Sequence, residues 1–155
     1  MKDAIKTPVS STAMLIRKPV AQVFEAFVDP AVTTRFWFTK SSGRLEKGKP
    51  VTWTWEMYNI SAEALVTELV PNERIEVNWN NMGNMIHVVW TFEPISKDTT
   101  FVSIGTDGFK GDAMEMLQWV NDNTGGFCWV LAGLKALLEF GIELNLVRDR
   151  FPQGK

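Results

Sequence analysis

A single cysteine, Cys128, excludes a disulfide within the chain, and a single histidine, His87, leaves no Cys/His cluster of the kind that holds zinc. No segment reaches the roughly 18 apolar residues that a membrane span needs. Residues 1–11 carry no apolar stretch of a secretory leader. Charge of one sign is also missing. The 16 Lys and Arg are offset by 18 Asp and Glu, so the basic footprint of a DNA- or RNA-binding surface is absent. Arg44, Lys47 and Lys49 come nearest to a basic cluster and read as a solvated turn. Gly108 and Gly111 flank Phe109-Lys110 in a turn, and no G-x-x-x-x-G-K phosphate loop occurs. These absences lead us to expect a reducing, cytoplasmic setting, no metal, no cofactor, and neither nucleic acid nor a membrane as partner.

What the chain does have is aromatic mass: seven Trp and ten Phe, beside one Tyr, in 155 residues. A domain of this length buries about 68–70% of its unfolded surface, and that core needs fewer large rings. Each indole adds an apolar body and one N–H that seeks a partner. The surplus has two readings, an unusually aromatic core or rings that line something.

Residues 12–18 read as a first strand, ending at Lys18-Pro19. Pro19 suits the start of a helix, where its missing N–H costs nothing. Val20, Val23, Phe24, Phe27 and Val28 then share one helical face. Asp29 is placed to cap a second short helix opening on Pro30, with Phe36, Trp37 and Phe38 at its far end. From Ser42 to Phe109 the period drops to two. Val51, Trp53, Trp55 and Met57 alternate with polar residues, as do Ile75, Val77 and Trp79, and Ile86, Val88, Trp90 and Phe92. Residues 60–70 make another strand with weaker alternation, and Val102, Ile104 and Thr106 a last one. The run from Asn80 to Asn84 tolerates positive φ and reads as a hairpin loop. Short loops between consecutive strands make the sheet an antiparallel meander. Trp53, Trp55, Trp79 and Trp90 share its apolar face.

Asp112 and Glu115 have capping-box spacing, and helix follows to about residue 147. Phe127, Val130, Leu131, Leu134, Leu137 and Leu138 form its apolar stripe. Gly125-Gly126 either kinks or breaks this helix, and Gly141 is the candidate C-cap. The order defines an α+β domain: a strand, two short helices, about six more strands and a long terminal helix. The sheet's apolar face has to be covered, and only the last helix is long enough.

Several motifs resemble one family. Ile16-Arg17-Lys18-Pro19-Val20, with Val23 to Pro30 after it, is similar to the opening of the SRPBCC, or START-like, superfamily. The nearer match is its branch named after the activator of heat shock protein 90 ATPase. Glu68-Leu69-Val70-Pro71-Asn72-Glu73-Arg74-Ile75 resembles that branch's central turn. Residues 99–104 before Gly108-Phe109, and residues 126–139, resemble its last strand and terminal helix. The resemblance spans residues 12–148, leaving 1–11 and 149–155 as loose tails. It implies a helix-grip fold, in which a curved antiparallel sheet of six or seven strands wraps around the C-terminal helix over a cavity. It further implies ligands such as lipids, polyketides or flavonoid-like compounds, and carries over no catalytic residue.

The candidate ligand-binding residues are Phe36, Trp37, Trp53, Trp55, Met57, Trp79, Trp90, Phe109, Phe127, Leu131 and Leu134. Core filling is the competing reading for all of them. Phe36 and Trp37 are expected at a mouth, as an exposed gating pair or as a loop anchored to the core. Glu68 shares a face with Ala62, Ala64 and Val66, so it either points inward as an acid or pairs with a partner such as Arg74. His87 is expected on the outer face, and Cys128 as a small buried hydrophobe. The first functional reading is a carrier or sensor of a small hydrophobic molecule, monomeric or homodimeric. A cyclase- or dehydratase-type enzyme and a chaperone-interacting module are the alternatives.

Overall fold

The computed structural model describes residues 7–152. Strand β1 (Ser10–Ile16) turns Ser10 and Ile16 inward. Helix α1 (Val20–Val28) follows Pro19, whose carbonyl accepts the N–H groups of Gln22 at 3.1 Å and Val23 at 3.2 Å. Val23, Phe24 and Phe27 bury the face that the spacing marked. Asp29 then caps α2 (Pro30–Thr33), accepting the Ala31 N–H at 2.9 Å. The missing Pro30 N–H leaves one orphan donor fewer there.

Six strands follow: β2 (Lys40–Ser41), β3 (Pro50–Trp55), β4 (Ile60–Val70), β5 (Arg74–Asn81), β6 (Asn84–Ser96) and β7 (Thr99–Asp107). They form one seven-stranded antiparallel sheet in the order β1-β7-β6-β5-β4-β3-β2. All but β1 follow chain order, as short connections dictate. The β5–β6 hairpin turns on Met82 (φ 53°) and Gly83 (φ 88°), two positive φ values in succession. A two-residue hairpin requires that to match strand twist.

Helix α3 (Ala113–Phe140) opens on the expected capping box. Asp112 accepts the Glu115 N–H at 2.9 Å, and Glu115 accepts the Asp112 N–H at 2.8 Å. The helix runs unbroken through Gly125-Gly126, which excludes the break, and ends at Gly141 with φ 68°. Phe127, Val130, Leu131, Leu134 and Leu137 are its buried stripe. The helix lies mainly along β1. Lys135 Nζ donates to the Leu15 carbonyl at 2.8 Å and to Glu139 at 2.6 Å, while Glu139 also accepts the Arg17 N–H at 3.1 Å. A short α4 (Leu146–Asp149) follows. The first strand thus begins two residues earlier than read from sequence, and residues 149–151 belong to or directly follow a helix. Residues 1–6 and 153–155 of the expected tails lie outside the described residues. No helix among the described residues is long and apolar enough to cross a membrane.

Candidate functional site

The site begins with a size contrast across β4. Trp53 on β3 pairs with Ala62, and Trp79 on β5 pairs with Ala64. Because the middle strand carries methyl groups, rings from its two neighbours meet above it. Trp53 and Trp79 lie 5.6 Å apart edge to face, and Trp55 stacks on Trp79 at 5.9 Å. Trp37, delivered by the turn after α2, packs within 6.3 Å of Trp53, Trp55, Trp79, Trp90 and Phe127. Edge-to-face and tilted arrangements dominate, as ring quadrupoles favour.

Over this floor lies a cavity of about 350 Å³. Trp37, Trp55, Trp79, Ala62 and Phe127 form its base, and Tyr58, Ile60, Trp119, Asn123 and Gly126 its walls. It exists because α3 leans on β1 and leaves the β3–β5 side less covered. Gly126 adds no side chain to fill the gap. Met82, Trp129, Arg150 and Phe151 ring the mouth, where Met82 is 71%, Trp129 42% and Phe151 45% exposed. Three large apolar side chains at one opening form an exposed apolar rim.

The polar groups of the cavity are few and mostly committed. The Tyr58 hydroxyl donates to the Val147 carbonyl, lies 3.0 Å from that of Arg148 and accepts the Phe151 N–H at 3.2 Å. This ties the segment after α3 across one side of the opening. Asn123 accepts a hydrogen bond from the Ser10 hydroxyl through Oδ1. Asp122 and Arg150, the charged lining residues, are both exposed. The indole N–H groups of Trp53, Trp79 and Trp90 are buried with no hydrogen-bond acceptor among the described residues. A second, smaller cleft of about 230 Å³ is bordered by Arg35 and Glu143, an exposed ion pair at 3.6 Å.

Of the candidate residues, Trp37, Trp55, Trp79 and Phe127 meet at the cavity. Trp53, Trp90, Phe109, Leu131 and Leu134 are buried in the core and do not reach its wall. Met57 is displaced from the expected strand face, because β3 ends at Trp55 and a 3-10 turn (Glu56–Tyr58) carries Met57 to the second cleft. Phe36 and Trp37 are no exposed gate: each is 7% exposed, and Phe36 packs on Gly133 of α3. Glu68 does not point into the cavity. A bulge between Val66 and Glu68 breaks the alternation, and its carboxylate pairs with Lys47 at 3.0 Å. Lys47, helped by the Leu69 N–H, holds that carboxyl below its usual range. Arg74 pairs instead with Glu76 at 2.7 Å. His87 is on the outer face, 2.9 Å from both Glu76 and Asn78. Cys128 is exposed, not buried, because it stands a helical step past Phe127 and off the packed stripe.

Sequence reading missed Tyr58, Ala62, Met82, Trp119, Asn123, Trp129 and Phe151 as lining residues. The apolar stripe legible in α3 starts at Phe127. Continued toward the N-terminus, helical spacing adds Asn123 and Trp119.

Fold and cavity together define a helix-grip domain with an aromatic pocket between sheet and terminal helix. Residues 17–139 match the family described as activator of Hsp90 ATPase homolog 1-like protein, and the chain belongs to that family. Among solved structures it is similar to protein SSP2350 from Staphylococcus saprophyticus, with TM-score 0.77 and 28% identity over 88% of this chain and 96% of that one. DynU16, a protein of the dynemicin biosynthetic locus, gives TM-score 0.75 at 18% identity, over 87% of this chain and 48% of its own. The Aha1 dimer from Colwellia psychrerythraea gives TM-score 0.73 at 16% identity, over 86% and 98%. The latter two carry the fold alone. No curated protein matches the chain.

Proposed function

We propose that this domain binds a small, predominantly apolar molecule in the aromatic cavity, as a carrier or sensor. The observation that carries this reading is the convergence of Trp37, Trp55, Trp79 and Phe127 on a space of about 350 Å³ behind an apolar rim. That volume lies at the small end of ligand sites, which run roughly 300–1,000 Å³. A flat, largely hydrocarbon body of the lipid, polyketide or flavonoid-like classes matches such walls. The cavity's charged lining groups lie in solvent, so a buried acid or base for cyclase or dehydratase chemistry has no evident candidate.

Native mass spectrometry of the protein purified from its own cells tests this directly. A co-purifying small molecule that Trp79→Ala releases is the expected result. Retention of that molecule by the variant sinks the reading. The same spectrum reads whether the chain is a monomer or a homodimer. A second reading, a chaperone-interacting module, rests on the family's description. It requires co-purification with the chaperone, and its surface has to map away from the cavity mouth.

A further inference from the structure

We propose that Asn123 is the specificity residue of the cavity, and that the ligand it selects is a neutral planar ring system bearing a carbonyl oxygen. This rests on the cavity being a ligand site. Asn123 and Asn81 are the half-buried amides of the lining, Asn81 beside Met82 at the hairpin end and Asn123 on the α3 wall. Among the described residues only Asn123 of the two has its amide oxygen held by a side chain of another element. Its carbonyl is occupied: the Ser10 hydroxyl, on a residue 3% exposed, donates to Oδ1. An amide has one acceptor oxygen and two N–H donors. With the oxygen fixed by β1, the NH₂ group is left to serve the cavity, and among the described residues it has no hydrogen-bond partner.

The strand that anchors Asn123 has polar neighbours on its inner face. Ser10 lies opposite Thr106 in the β1–β7 register. Among the described residues the hydroxyl of Thr106, which is 2% exposed, has no partner, and neither has the buried hydroxyl of Thr12, two residues past Ser10 on β1. Buried polar atoms without partners are scarce in folded proteins. Of the three hydroxyls only that of Ser10 reaches Asn123, and it does so from outside the cavity lining, as an anchor for the amide. The ring-lined end is receptive to a flat apolar body.

Charge decides the rest. A carboxylate buried against these rings finds no cation at that depth, since Arg150 is exposed at the mouth and Asp122 stands beside Asn123. Leaving water uncompensated is costly for an ion. A ketone or amide oxygen loses far less and gains the Asn123 N–H.

A matched pair of probes tests this: 9-fluorenone and fluorene, which differ by one carbonyl, titrated calorimetrically into the full chain. The wild type is expected to bind fluorenone about tenfold more tightly than fluorene, the worth of one hydrogen bond. Asn123→Leu is expected to bring that ratio to about one. Ser10→Ala, which frees the amide to rotate, is expected to lower it part of the way while thermal melting reports an intact fold. Equal affinities in the wild type, or an undiminished ratio in both variants, overturn the assignment of Asn123 and leave the cavity reading standing. Failure of both probes to bind the wild type overturns both.

Discussion

Trp55 and Trp79 stack across an intervening strand, with ring centroids 5.9 Å apart and planes 14° from parallel. They meet because β4 presents Ala62 and Ala64 between β3 and β5. The two alanines differ in what lies above them. Ala64 is fully buried under packed rings, whereas Ala62 opens on the cavity. Ala62→Leu is therefore expected to fill the void and weaken binding of the neutral probe N-phenyl-1-naphthylamine at least tenfold, with little change in melting temperature. Ala64→Leu is expected to overpack the core and cost about 1–3 kcal/mol. Fluorescence titration and urea unfolding of the two variants read the contrast.

The tryptophans divide in the same manner. Trp53 and Trp90 are 1% and 2% exposed and packed on all sides, so truncation to Ala is expected to cost about 3–5 kcal/mol. Trp55 has the cavity on one side and loses less packing when truncated. Trp55→Ala is expected to destabilise less than Trp53→Ala and to weaken probe binding more. Urea midpoints with unchanged m-values make the comparison clean.

Much of this was legible in the chain because periodicity reports burial. The inner-face indoles, the Asp112–Glu115 box, the Asp29 cap and the Gly141 terminus each follow from local chemistry. The errors came where a local irregularity reset the period. One bulged residue after Val66 turned Glu68 to Lys47, and a 3-10 turn after Trp55 carried Met57 away from its neighbours. The cavity itself was visible only as a surplus of rings. Which rings are wall and which are core depends on how far α3 stands from β4, and pattern does not encode that distance. Tyr58, tied to the backbone some ninety residues later in the chain, had no local signal at all.

Met82 sits at the cavity mouth with φ 53°, a conformation that costs an L-residue other than Asn or Asp roughly 1 kcal/mol. The following Gly83 makes Asn the favoured residue at this position of the hairpin. Met82→Asn is accordingly expected to raise stability by about 1 kcal/mol in urea unfolding. If the exposed thioether covers bound ligand, the same change is expected to speed probe dissociation in stopped flow. A variant both more stable and slower to release the probe would refute the assignment of Met82 to the rim.

Glu139 fastens the terminal helix to the end of β1. Burial alone raises its carboxyl pKa, but the Lys135 ammonium and the Arg17 N–H together outweigh burial and hold it below the ordinary value of 4.5. A folded-state pKa below the unfolded one means that the unfolded chain binds the proton more readily. The stabilisation is therefore complete above about pH 5 and is lost as pH falls from 4.5 through the depressed folded value. Glu139→Gln keeps the shape and removes the titration. The variant is expected to be less stable at pH 7, where Lys135 loses its ion pair. Its stability is expected to fall less steeply than that of the wild type between pH 5 and pH 3. Glu68 and Glu76, paired with Lys47 and Arg74, contribute to the acid limb in both proteins and cancel in the difference. Denaturant melts of the pair across this interval isolate Glu139, and parallel curves would show that it adds nothing to the grip of α3 on the sheet.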